Sequence, residues 1–215
     1  IVLRSTIIEL AGDLGRLDVL QRLAAPLAEA PVDTAELELY LAYAKALRLN
    51  GQYSVAEELY ARLLNARWPG LAAREKILLS QAETLHHMGR LFESQRVLRE
   101  VLAENFENQQ AVIQLIRSVA ENDSLSDGWS LFWYYVATIK DTNWRIPADN
   151  SLSEVFLTYI YLLEREGSYN LAVRDLQHYL EQFPKKQHDR DTVSILRSLE
   201  LRLCDLYLGV GKEQE

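Results

Sequence analysis

The sequence predicts an all-α solenoid, about five antiparallel helix pairs plus one extra helix, in a single repeat domain spanning residues 1–215. Two observations predict it. A turn residue closes an apolar helical stretch at Gly15, Gly51, Gly89, Asp123, Gly167 and Gly211, with differences in residue number of 36, 38, 34, 44 and 44. After the first five of these a second helical stretch follows, and at Gly211 the chain nearly ends. A period of this size marks a helical repeat array, in which each helix pair buries its apolar face only by stacking on neighbours.

The segment Tyr40 to Leu64 shows the unit most clearly. Tyr40, Tyr43, Ala44 and Leu47 fall at i, i+3, i+4 and i+7, one face of a helix. Asn50-Gly51 ends that helix, because glycine accepts the left-handed conformation at a helix terminus. Tyr53, Ala56, Tyr60, Leu63 and Leu64 then stripe a second helix. The short turn makes the two antiparallel neighbours. Ala56 is small where a close helix crossing needs a small side chain.

This segment resembles a tetratricopeptide repeat. Counting the turn glycine as repeat position 15, Tyr40, Tyr43, Ala44, Leu47, Gly51, Tyr53, Ala56 and Tyr60 occupy the family's places. The first repeat offers Ile7, Ile8, Gly15 and Leu17, with Leu20 where alanine is expected. The third carries Leu78, Ala82, Leu85, Gly89, Leu91 and Leu98, with Ser94 in place of alanine. In the fourth, Asp123 replaces the turn glycine and Gly128 takes the small-residue position. The fifth matches at Phe156, Tyr159, Ile160, Leu163, Gly167, Tyr169, Ala172, Leu176 and Pro184. The sixth supplies a first helix alone, with Leu203, Cys204, Tyr207 and Gly211, and Cys204 is expected in its core. The resemblance implies a right-handed superhelix. Two connections, Asn143 to Asn150 and Pro184 to Asp191, are about ten residues longer than the repeat needs and mark places for specialised structure.

Composition narrows function. The chain has 48% hydrophobic and 25% charged residues and a net charge of −8, so the basic footprint of a nucleic-acid binder is missing. One cysteine, Cys204, excludes an internal disulfide. No run of 18 apolar residues encodes a membrane span, and no signal segment leads the chain. The compartment stays open between cytoplasm and bacterial periplasm. The opening Ile1 to Leu10 lacks a polar cap and Gly211 lacks a second helix. Arrays need polar end caps, so we expect further repeats in a longer parent and end-to-end self-association of this piece.

Chemistry-bearing constellations are sparse. His86 and His87 are adjacent, about 100° apart on a helix, and cannot share a metal as an i, i+4 pair can. His178 and His188 lie elsewhere, and no phosphate-binding or nucleophile-elbow motif occurs. We therefore expect no metal, no cofactor and no catalytic residue.

The resemblance places the ligand groove on the first helices, at positions 2, 5, 6, 9, 12 and 13. Position 5 reads Ser5, Leu41, Leu79, Ile113, Leu157 and Leu201, and Lys45, Lys76, Arg117 and Arg202 mix with Glu38, Glu83, Glu154 and Asp205 beside it. Leu41, Lys45, Leu79, Ile113, Arg117 and Leu157 are thus partner-binding candidates, either as an apolar strip for a peptide or as packing between repeats. Members that clasp a chaperone's C-terminal carboxylate use asparagines where this chain has Glu9, Ala42, Lys45 and Ser80, so that subtype is not implied. A second candidate surface is aromatic: Trp129, Phe132, Trp133, Tyr134, Tyr135 and Trp144 cluster in the fourth repeat. Gly128, Phe132 and Tyr135 should face the core, leaving Trp133 and Tyr134 partly outside as hot-spot candidates. Alternatively Asn143 to Asn150 folds back over them.

The reading is a protein-binding scaffold. The alternatives are a periplasmic scaffold region of a bacterial polysaccharide export protein and the peptide-sensing domain of a larger regulator.

Overall fold

The computed structural model describes residues 2–16, 18–20, 22–23, 27, 32–68, 70–122, 124–139, 152–183 and 190–213, and these are all-α, with no strand among them. The chain divides into two compact units, Ile1–Ser118 and Val119–Glu215. The first holds α1 (Val2–Asp13), α2 (Leu37–Leu49), α3 (Tyr53–Asn65), α4 (Leu71–His87), α5 (Leu91–Glu104) and most of α6 (Gln109–Asn122). The second holds the end of α6, then α7 (Leu125–Thr138), α8 (Ser153–Arg165), α9 (Tyr169–Gln182) and α10 (Arg190–Glu213).

Four turns share one hydrogen-bond pattern. Gly51 N–H donates to Arg48 O at 3.0 Å and Gln52 N–H reaches back to Leu47 O at 2.9 Å, the Schellman closure. The same pair of bonds recurs at Gly15 with Arg16, Gly89 with Arg90, and Gly167 with Ser168. The glycines have φ of 65°, 70°, 73° and 81°, the left-handed region that a Cβ disfavours. At Gly51, Gly89 and Gly167 nothing stands within 4 Å of where a Cβ would lie, so glycine is required there by backbone conformation and not by space.

In the first unit α1 packs on α2, α2 on α3 and α4, and α4 on both α3 and α5. The α1–α2 approach is close: a Cβ on Gly12 would stand 2.6 Å from Ala46 Cβ. Asn50 ties the same crossing by donating from Nδ2 to Gly12 O at 3.1 Å and Ala46 O at 2.8 Å. Tyr40, Ala44, Ala56, Tyr60 and Leu63 fill the core beneath, on the helix faces their spacing predicts. Ser94 is buried where alanine was expected, and its hydroxyl donates to Ala82 O at 2.8 Å, which removes the penalty of a buried polar group. Leu20 is buried at its equivalent place.

In the second unit α8 packs on α7 and α9, and α9 on α10. Ser124 caps α7 by accepting the Asp127 N–H at 3.0 Å. Gly128 holds the small position of that pair, since a Cβ there would meet Ala120 Cβ at 2.7 Å. Phe156, Ile160, Ala172, Leu176, Tyr179, Leu199 and Leu206 form the core. Arg202 of α10 pairs with Glu164 of α8, whose carboxyl is pushed up by burial.

Two expectations are corrected at the sixth repeat. Gly211 does not end its helix: α10 runs on to Glu213, and Gly211 has no positive φ. Cys204 is exposed, because α10 buries the opposite side, with Leu199 and Leu206 turned into the core. Asp123, Leu17, Pro184, His188, Trp144 and the connections 143–150 and 184–189 lie outside the described residues.

Gly51→Ala should cost about 1 kcal/mol from backbone strain alone. Gly12→Ala should cost about 1–3 kcal/mol by overpacking the α1–α2 crossing. Urea midpoints of the two variants check both values; a neutral Gly12→Ala would contradict the close approach.

Candidate partner-binding groove

The first helices of the first unit line an open groove of about 240 Å³. Its walls are Glu9 of α1, Glu38, Leu41, Ala42 and Lys45 of α2, Lys76, Leu79, Ser80 and Glu83 of α4, and Gln110 of α6. Every one of these ten stands at position 2, 5, 6 or 9 when the turn glycine, or Asp123 in the fourth repeat, is counted as 15. Helical spacing explains the convergence: these positions share one side of each first helix.

The groove has an apolar floor and a charged rim. Leu41 is half-buried and Leu79 is buried. Lys76 Nζ pairs with Glu38 across α2 and α4. Glu83 Oε1 accepts from the buried Arg48 Nη2 at 2.9 Å, so its charge is balanced from behind. Lys45 is exposed and has no hydrogen-bond or ion-pair partner among the described residues, which leaves one cation directed to solvent at the groove. Under Ser80 lies a buried hydroxyl chain. Tyr60 Oη is 2.9 Å from Ser80 Oγ and 3.0 Å from Thr84 Oγ1, and Thr84 donates to Ser80 O at 3.0 Å. Burial pushes the Tyr60 phenol above its ordinary range, keeping it neutral.

The structure brings together three of the proposed residues, Leu41, Lys45 and Leu79. Ile113 is buried and Arg117 partly buried on α6, outside the groove lining. Leu157 is half-buried in the second unit. Arg48 and Tyr60 were missed as supports of the site. Arg48 sits at position 12, within the groove-facing set, and that register place was the available signal.

The aromatic cluster forms a connected array in the second unit. Trp129 stacks on Trp133 with centroids 6.2 Å apart, and both meet Tyr159, at 5.8 and 6.3 Å. Phe132 is buried among them. Tyr159 donates to Asp175 Oδ2 at 2.7 Å, and burial, with that bond, holds its phenol well above the usual range. Trp133 is 38% exposed and Tyr134 is 75% exposed. Trp133 is thus a packed residue with an open edge, whereas Tyr134 stands in solvent.

Among the described residues no group of three or more His, Cys, Asp and Glu is placed to hold a metal ion, and no helix is long and apolar enough to cross a membrane. No protein-family model matches the chain, and no curated protein matches it.

Trp133→Ala should lower stability by about 2 kcal/mol, less than the ~3–5 kcal/mol of a fully buried large aromatic. Tyr134→Ala should stay within about 0.5 kcal/mol. Thermal melts of the two variants test the distinction between packed and free aromatics.

Proposed function

We propose that the chain is a tetratricopeptide-like scaffold domain that binds a protein segment in the groove of α1, α2, α4 and α6 and positions it in a larger assembly. One observation carries this reading: the lining residues all come from four register positions, although they are spread over 102 positions of chain, from Glu9 to Gln110. A cleft formed by chance between helices would draw on mixed positions. A single repeated architecture through both units is supported by the four identical glycine closures and by side-chain bonds that link equivalent helices about one repeat apart. Asn50 reaches Gly12 across 38 residues, Lys76 reaches Glu38 across 38 and Arg202 reaches Glu164 across 38.

The groove's chemistry suits binding and not bond-making. Two of its three carboxylates, Glu38 and Glu83, are already paired with cations, and the third, Glu9, stands on α1. An extended or helical segment can lay apolar side chains on Leu41 and Leu79 and present a carboxylate to Lys45.

A display library of random peptides tests this reading. Selected peptides should bind the chain and lose about tenfold or more in affinity on Leu41→Asp and on Lys45→Glu, with the helical circular dichroism unchanged. Trp133→Ala and Tyr134→Ala should bind as the parent does. Peptides that ignore both groove variants and need Tyr134 would move the site to the aromatic array.

A further inference from the structure

The groove holds two charges of opposite sign that nothing satisfies. Position 9 alternates in sign along the first helices of the first unit: Glu9 on α1, Lys45 on α2, Glu83 on α4 and Arg117 on α6. Arg48 balances Glu83, and Arg117 lies outside the groove lining. Glu9 and Lys45 remain, on helices packed against each other. Neither has a hydrogen-bond or ion-pair partner among the described residues, so they do not pair with one another.

Ser80 adds a polar group whose direction is fixed by counting protons. Each hydroxyl carries one. Thr84 donates its proton to the main-chain carbonyl of Ser80, which can only accept. Thr84 Oγ1 must then accept from Tyr60 Oη. With the phenol proton committed there, Tyr60 Oη accepts from Ser80 Oγ. Ser80 lines the groove with no proton left to give, and offers it lone pairs alone. Such a group suits an N–H donor. An extended chain has free main-chain N–H groups, whereas a helix beyond its first turn spends them on its own carbonyls.

We infer that the groove selects an extended segment that sets a basic residue against Glu9, an acidic residue against Lys45 and a main-chain N–H against Ser80 Oγ. This rests on the groove being the binding site proposed above, and it narrows the bound segment to one chemical class. Packed helix axes lie about 8–10 Å apart and an extended chain rises ~3.3 Å per residue, so the two charged residues stand about two to four positions apart. Their order is fixed as well. Exchanging them would set like charge against like at both helices.

The test pans a display library of random peptides against the parent chain and, separately, against the double variant Glu9→Lys/Lys45→Glu, which keeps the net charge. Parent-selected peptides should carry the basic and acidic residues at this spacing, and variant-selected peptides the same residues with the signs exchanged. Each class should bind the other protein about tenfold or more weakly. Glu9→Gln and Lys45→Gln remove attraction without adding repulsion and should each cost the parent's peptides about two- to fivefold. N-methylation at one peptide bond should weaken binding to the parent about three- to tenfold, with no comparable further loss on Ser80→Ala. Chemical shifts of a labelled bound peptide should be those of an extended chain, and circular dichroism checks that each variant is folded. Peptides that lose binding on Leu41→Asp but ignore both charges, bind as a helix or have no N–H that depends on Ser80 overturn the inference and leave the groove as the binding site. A selection that yields nothing sensitive to Leu41→Asp overturns both.

Discussion

The helical hairpins depend on a backbone conformation that a single residue type adopts readily. A helix can reverse within three residues only if one of them enters the left-handed region, and glycine does so without the steric cost that a Cβ brings. At Gly15, Gly51, Gly89 and Gly167 that residue turns its own N–H and the next one back onto the last turn. The closure satisfies carbonyls that would otherwise be left without donors. It also fixes where the following chain leaves, and so which face of the second helix meets the first. Packing at Tyr40, Ala56 and Tyr60 follows from that exit direction.

Two buried polar groups inside the first unit, Ser94 and Tyr60, are placed against partners on a neighbouring helix. Ser94 finds the carbonyl of Ala82, and Tyr60 finds Ser80 and Thr84 on the helix that follows its own. These contacts cross between helices, so they reward one register and penalise a slip. Arg48 is the boldest case: its head is buried and reaches Glu83 at the groove wall. Glu83 itself is exposed, and an ion pair with an exposed partner is weak support for stability. Its clearer effect is to hold Glu83 in one orientation and to offset its charge, leaving Lys45 as the cation a bound segment would meet.

Much of this was legible in the sequence where period and turn chemistry agreed. The residues Tyr40, Tyr43, Ala44 and Leu47 repeat at helical spacing and end at Asn50-Gly51, and both the helix and its closure appear where that pattern puts them. The groove was legible in part: Leu41, Lys45 and Leu79 line it, but Ile113 does not. Register places a side chain on a face without saying how deeply the neighbouring helix covers that face. Cys204 shows the same limit. Its position predicts burial, yet α10 turns Leu199 and Leu206 into the core and leaves Cys204 on the other side. Gly211 had the right residue type for a closure, but glycine permits the left-handed conformation without imposing it, and here the helix continues.

The spacing of the long-range bonds has a consequence for how the chain reaches this state. Asn50 to Gly12, Lys76 to Glu38, Arg202 to Glu164 and Tyr161 to Glu121 close loops of 38, 38, 38 and 40 residues. Each tie spans about one repeat, so joining equivalent helices costs a similar, modest loop entropy wherever along the chain it happens. In a repeat array of the kind proposed, order can start at any hairpin and spread to its neighbours in either direction. Such a chain folds by zippering from local contacts, quickly for its length. A strained repeat then raises the barrier at one point on the line and leaves folding on either side of it intact.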